Sequence, residues 1–174
     1  MIRIKVCGIT DTSQAEATAE SGVDFLGLVF AASRRQITPV KAVEIASFVG
    51  RTQHHPALAG VFVNLPASDV NFIAEACRLD WVQLSGQETW DYCKDILKPI
   101  FKTIHISSKT TTETILAEIK HGYRQLSRER LVFLLDTQAK NTHGGTGQIF
   151  NWQIAKEISR QYPVMIAGGL TPDN

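Results

Sequence analysis

Cysteine is scarce in this 174-residue chain. Its three residues, Cys7, Cys77 and Cys93, are too few and too scattered for a disulfide framework, and no Cys-x-x-Cys pair offers the usual zinc spacing. Neither sign of charge dominates. Eighteen Lys+Arg face 17 Asp+Glu, a formal net charge of +1, so there is no basic footprint for neutralising nucleic-acid phosphates. Long hydrophobic runs are missing too, and none approaches the ~20 residues that a membrane span needs. The opening stretch Met1–Thr10 carries Arg3 and Lys5 among its apolar residues, unlike a signal peptide. What is present is ordinary for a globular protein: 44% hydrophobic residues, which excludes a disordered chain. The expectation is a soluble, cytoplasmic protein of one domain, with no nucleic-acid or membrane partner.

Short runs of β-branched and aliphatic residues recur along the whole chain: Arg3–Ile9, Phe25–Phe30, Leu58–Val63, Trp81–Leu84, Ile100–Ile106, Leu131–Asp136 and Val164–Ala167. Each is too short for a helix, and most are bounded by Gly, Asn, Ser, Thr or Pro, which reads as strand. Their near-continuous apolar character suits parallel strands covered on both faces. Helical patterns fall between them. Asp11–Ser21 has Asp11 or Ser13 as N-cap and Gly22 just past its end. The next helix starts at Thr38 and Pro39, with Val40, Val43, Ile45, Ala46 and Val49 as its apolar set. Pro66–Arg78 takes Ser68 as its cap, and Gln87–Leu97, Thr111–Gln125 and Asn151–Gln161 complete the series.

This alternation leaves two architectures, an open doubly wound sheet or a (β/α)8 TIM barrel. The first strand is followed by Cys7-Gly8-Ile9-Thr10, with one glycine where a nucleotide-binding sheet normally has several. A regular period of roughly 20–30 residues favours the barrel. Seven strands are visible, and Thr171-Pro172 reads as the start of another helix. The expectation is therefore a single barrel domain over residues 1–174, truncated so that its eighth strand and last helices are missing. Such a chain leaves unpaired strand edges, and an inactive fragment that self-associates through them is the alternative to an enzyme.

Barrel active sites lie at the carboxyl ends of the strands. Two residues stand out there. Cys7 ends the first strand and, on period-two alternation, points inward at the mouth; a small buried hydrophobe is the plainer reading of such a cysteine. Asp136 closes the apolar run Leu131–Leu135, where desolvation raises a carboxyl's pKa and lets it donate a proton near neutral pH; capping the next turn is the competing role. Gly144 and Gly145 sit in the densest glycine cluster, which is either an anion nest or an ordinary long loop. Gly168 and Gly169 lie between the last strand and a helix start, where barrels often bind phosphate. Arg34 and Arg35 follow the second strand and could clamp a carboxylate, although loop arginines are more often merely solvated. His54-His55 has no carboxylate or thiol at ligand spacing, so no metal site is expected. His105 is a weaker pocket candidate.

These residues, in this order, resemble the phosphoribosylanthranilate isomerase family of tryptophan biosynthesis. The motifs are Lys5-Val6-Cys7-Gly8-Ile9-Thr10, Ser33-Arg34-Arg35-Gln36-Ile37-Thr38, Gly60-Val61-Phe62-Val63-Asn64, Val82-Gln83-Leu84-Ser85-Gly86, Leu134-Leu135-Asp136-Thr137, Gly144-Gly145-Thr146-Gly147 through Trp152, and Ala167-Gly168-Gly169-Leu170-Thr171-Pro172-Asp173-Asn174. The resemblance implies a (β/α)8 barrel catalysing an Amadori rearrangement of N-(5-phosphoribosyl)anthranilate without metal or cofactor, as a monomer or homodimer. It implies Cys7 as general base, Asp136 as general acid, Arg35 on the anthranilate carboxylate, and Gly144, Gly145, Gly168 and Gly169 around the phosphorylated substrate. One departure is Ser85, where the family usually has histidine. Other phosphate-binding barrels fit less well: an epimerase needs several His and Asp ligands at strand ends, and an indole-glycerol-phosphate synthase needs a strand-end lysine acid.

Overall fold

In the computed structural model, which describes residues 2–107, 109–137 and 152–171, strands and helices alternate without exception. The order is β1 (Lys5–Cys7), α1 (Thr12–Glu20), β2 (Phe25–Val29), α2 (Pro39–Val49), β3 (Ala57–Phe62), α3 (Ala67–Ala76), β4 (Trp81–Leu84), α4 (Trp90–Asp95), β5 (Ile100–Ile106), α5 (Thr112–Gln125), β6 (Leu131–Thr137), α6 (Trp152–Ser159) and β7 (Val164–Ile166). Residues Met1–Ile100 and Phe101–Asn174 form two compact units.

In the first unit β1 to β4 lie side by side and parallel, with Cys7 beside Gly27, Gly27 beside Ala59, and Ala59 beside Trp81. Partners in a parallel register share a face, so Lys5, Cys7, Phe25, Gly27, Val29, Ala59, Val61 and Gln83 project to one side. Leu26, Leu28, Leu58, Phe62, Val82 and Leu84 project to the other, and all are buried. The first face is concave. Strands β1 and β4 would stand roughly 14 Å apart in a flat sheet, three spacings of about 4.8 Å, and side chains rising from it could not meet. Yet Lys5 Nζ donates to Gln83 Oε1 at 2.7 Å. The curl is compatible with small residues, Gly27 and Ala59, between the two polar ones.

The helix starts follow cap chemistry. Asp11 accepts from the Gln14 amide at 2.8 Å, and Thr38, Thr89 and Thr111 do the same for their helices. One expectation fails. Ser68 is not a cap: α3 starts at Ala67 behind Pro66 with no side-chain cap, and the Ser68 hydroxyl donates to Asp69 at 3.2 Å. On α2 the buried stripe is Ala42, Ile45, Ala46 and Val49, while Val40 is 81% exposed and Val43 42%.

In the second unit β5, β6 and β7 are neighbours in that order, and β6 and β7 pair in parallel from Phe133↔Val164 to Leu135↔Ile166. Phe133, Leu134 and Leu135 are buried, and Asp136 and Thr137 at the polar end of β6 are half-buried. Among the described residues no helix is long and apolar enough to cross a membrane.

Candidate active site

Cys7 is half-exposed at the end of β1, on the concave face of the first unit. Its neighbour in register has to be glycine. A methyl group on Gly27 would lie 2.5 Å from the Cys7 sulfur and 2.8 Å from its Cα, inside any real contact distance. The chain after β2 then folds back. Gln36 bridges to Val29, the Ile37 amide donates to the Val29 carbonyl at 2.9 Å, and the Gln36 side chain donates to the Phe30 carbonyl. This return carries Arg35 over Gly8, where its Nη1 donates to the Cys7 carbonyl at 2.9 Å. The guanidinium is thereby fixed on the Cys7 carbonyl while the residue stays exposed. A planar fork held at one corner still presents donors for a carboxylate.

Ser85, one residue past β4, is buried, and its Oγ accepts from Gln83 Nε2 at 2.9 Å. With Lys5 on the other end of the same amide, a polar chain runs across the concave face from Lys5 through Gln83 to Ser85. Sequence reasoning missed Glu88. This carboxylate is only 9% exposed, accepts the amides of Asn64 at 2.9 Å and Gly86 at 3.0 Å, and ties the loop after β3 to the loop after β4. Asn64 completes the tie from a left-handed backbone (φ 51°), accepting the Gln87 amide at 2.7 Å. An isolated glutamate between Gly86 and Thr89 reads as a solvated charge, and nothing in the sequence marks it as a tie.

The second unit places Asp136 half-buried near the end of β6. Desolvation pushes its carboxyl above the usual aspartate range, partly opposed by the charge of His105 at the end of β5 and by a hydrogen bond from the Thr137 amide. The turn after β7 closes over it. The Ala167 amide donates to the Leu135 carbonyl at 2.8 Å, and Gly168 follows with φ +86°. Only glycine suits that position, since a side chain would be strained and a Cβ would sit 2.7 Å from Thr137 Oγ1 and 2.9 Å from Asp136 Oδ1. Gly169 is also left-handed, φ +68°. Buried beside Asp136, Thr137 Oγ1 has no hydrogen-bond partner among the described residues.

The remaining candidates separate from these. Gly144 and Gly145 lie outside the described residues. His54 and His55 line a shallow cleft of about 260 Å³ with Gly22, Val23, Asp24 and Pro56, before β2 and β3 and so at the amino ends of those strands. His55 is engaged with the Val49 carbonyl at 3.1 Å. Among the described residues no three His, Cys, Asp or Glu side chains cluster as a metal site.

Comparison with known proteins bears on this arrangement. The family model described as "N-(5'phosphoribosyl)anthranilate (PRA) isomerase" matches residues 4–174. A relative from Dehalococcoides mccartyi, named N-(5'-phosphoribosyl)anthranilate isomerase, is 51% identical over 174 residues, covering all of this chain and 79% of its own length. One of the same name from Moorella thermoacetica is 38% identical, over all of this chain and 73% of its own. Among solved structures, phosphoribosyl anthranilate isomerase from Thermotoga maritima superposes with a TM-score of 0.81 at 29% identity, over all of this chain and 80% of that one. A structure of the isomerase in complex with reduced 1-(o-carboxyphenylamino)-1-deoxyribulose 5-phosphate matches with a TM-score of 0.78 at 28% identity, over all of this chain and 79% of that one.

Proposed function

The chain belongs to the N-(5'-phosphoribosyl)anthranilate isomerase family, and from that premise we propose that Cys7 and Asp136 divide the proton transfers of one reaction between them. Its fold is the family's (β/α)8 barrel and its activity the Amadori rearrangement of N-(5-phosphoribosyl)anthranilate to 1-(2-carboxyphenylamino)-1-deoxyribulose 5-phosphate, a step of tryptophan biosynthesis. Residues 1–174 supply seven strands of one such barrel domain, which works in the cytoplasm.

Asp136 enters the reaction protonated and gives its proton to the furanose ring oxygen. The bond from that oxygen to C1 breaks as the anilino nitrogen pushes its electron pair in, leaving an iminium. Cys7, as thiolate, then removes the proton from C2, and the electrons of that C–H bond neutralise the iminium to give an enolamine. Tautomerisation moves a proton from the C2 hydroxyl to C1 and yields the ketose. The carboxylate and the thiol return to their starting states through solvent, so no proton is consumed overall. Only the thiolate can serve as the base, and a carboxyl lifted above its usual range suits the acid. Arg35, with one corner of its fork on the Cys7 carbonyl, holds the anthranilate carboxylate so that C2 is presented to the sulfur. The amides of Gly168 and Gly169, together with Gly144 and Gly145, receive the phosphate.

The observation that carries this reading is the desolvated Asp136 carboxyl at a strand's carboxyl end. Replacing the acid or the base tests it. Cys7→Ser and Asp136→Asn should each lower turnover by about 10²–10⁴-fold while still binding the reduced product analogue. Near-normal turnover in either variant overturns the assignment.

A further inference from the structure

Thr137 carries a buried hydroxyl with no hydrogen-bond partner among the described residues. Leaving such a group unpaired is unfavourable, and valine would fill the same space in a strand without that cost. Something should therefore offset it. The neighbourhood is narrow: Thr137 Oγ1 and Asp136 Oδ1 each come within 3 Å of the point where a Gly168 Cβ would stand. The left-handed glycine lets the backbone close over both oxygens, so the hydroxyl has one ionisable neighbour on its own strand. Among the described residues His105 of β5 is the titratable group acting on that carboxyl, and on the other side β7 and Gly168 bring none.

We infer that Thr137 is a positioning residue whose hydroxyl is held in reserve for the Asp136 carboxylate, closing on it when the proton passes to the substrate. The inference rests on the acid role of Asp136 set out above. While the carboxyl is neutral it keeps its own O–H for the ring oxygen, and the Thr137 hydroxyl has little to gain from it. Once the proton has left, a full negative charge stands in a desolvated site where, among the described residues, the Thr137 amide donates to it. A turn about the Cα–Cβ bond of threonine, whose rotamers are close in energy, brings a second donor from the same residue. Hydrogen bonds to an ionised oxygen are about twice as strong as neutral ones, so the new bond favours the charged product of the step over the neutral reactant.

Thr137→Val and Thr137→Ser in the full chain decide it, with Asp136 followed by carboxyl ¹³C titration. With valine, the Asp136 titration should move up by about 1 pH unit; with serine it should stay in place. Melting temperature should cross over: the valine variant more stable than the parent at pH 3, where Asp136 is protonated and an orphan hydroxyl has been removed, and less stable once Asp136 is ionised. Turnover should fall about tenfold with KM within twofold, and the alkaline limb of the rate profile should follow the titration upward. An unmoved titration with valine, or a variant less stable at every pH, overturns the inference. The titration needs no turnover. Should Asp136→Asn keep its activity, the acid assignment fails while the coupling between hydroxyl and carboxylate is still measured.

Discussion

Asp136 sits at a strand end where burial and chemistry pull in opposite directions. Its carboxyl is lifted because ionisation in a desolvated site is unfavourable, so the folded state holds the proton more tightly than the unfolded chain does. The sign follows. Below the ordinary aspartate value of 3.8 both states are protonated and the site carries no penalty; as pH rises toward the lifted value the folded state loses stability, and above it the loss is constant. Asparagine never ionises, so the melting temperature of Asp136→Asn should match the parent near pH 3 and exceed it by a gap that opens upward from about pH 4. Thermal melts of both proteins from pH 3 to 8 check this, and a gap that opens toward acid would contradict it. The lift could be read from the sequence, since five apolar residues run straight into the aspartate. Thr137 could not, because an unpaired hydroxyl looks like any strand threonine until the Gly168 turn is laid over it. Arg35 is an intermediate case: its candidacy was readable, but its hold on the Cys7 carbonyl depends on a return of the chain that no local pattern announces.

Helix starts behave the same way one level up. Thr38, and Asp11 with Ser13 as its alternative, were legible as caps because each is a short polar side chain at the start of a helical run. Ser68 matched that description equally well and failed. The chain leaving β3 reaches Pro66, whose fixed φ already suits the position before a helix, so α3 begins one residue ahead of the serine. Substitution separates the two. Asp11→Ala should lower stability by about 1 kcal/mol, because the Gln14 amide loses its acceptor at 2.8 Å. Ser68→Ala should change it by less than about 0.5 kcal/mol, since only an exposed contact to Asp69 is lost. Denaturant unfolding of the two variants beside the parent measures both, and equal losses would restore Ser68 as a cap. Strands were the more legible elements. A continuous apolar run such as Phe25–Val29 has no alternative when both faces are covered, whereas an amphipathic helix can rotate, as α2 does when it hides Ala42 and exposes Val40.

At the scale of the molecule, the proposed chemistry draws on both compact units: Cys7 and Arg35 belong to the first, Asp136, Gly168 and Gly169 to the second. Alternation of strands and helices made the barrel legible, because every parallel strand needs a crossover and the spacing leaves room for one helix each time. The Lys5–Gln83 bond was not legible, since it depends on how tightly four strands curl. Binding to the folded chain stabilises it by RT ln(1 + [L]/Kd), about 2.7 kcal/mol at a hundredfold excess over Kd, or roughly 5–10 °C in melting temperature for a chain of this size. If the phosphate rests on the second unit and the anthranilate carboxylate on Arg35, the reduced product analogue should slow amide exchange at the ends of β1 and β2 and at those of β6 and β7 together. Inorganic phosphate, which can meet only the glycine amides, should protect the β6–β7 end alone. Hydrogen exchange of the free chain, the phosphate-bound chain and the analogue-bound chain makes the comparison. Protection by the analogue that stops at one unit would mean that Arg35 and Gly168 do not hold the same molecule, and Cys7 and Asp136 could not then share its protons.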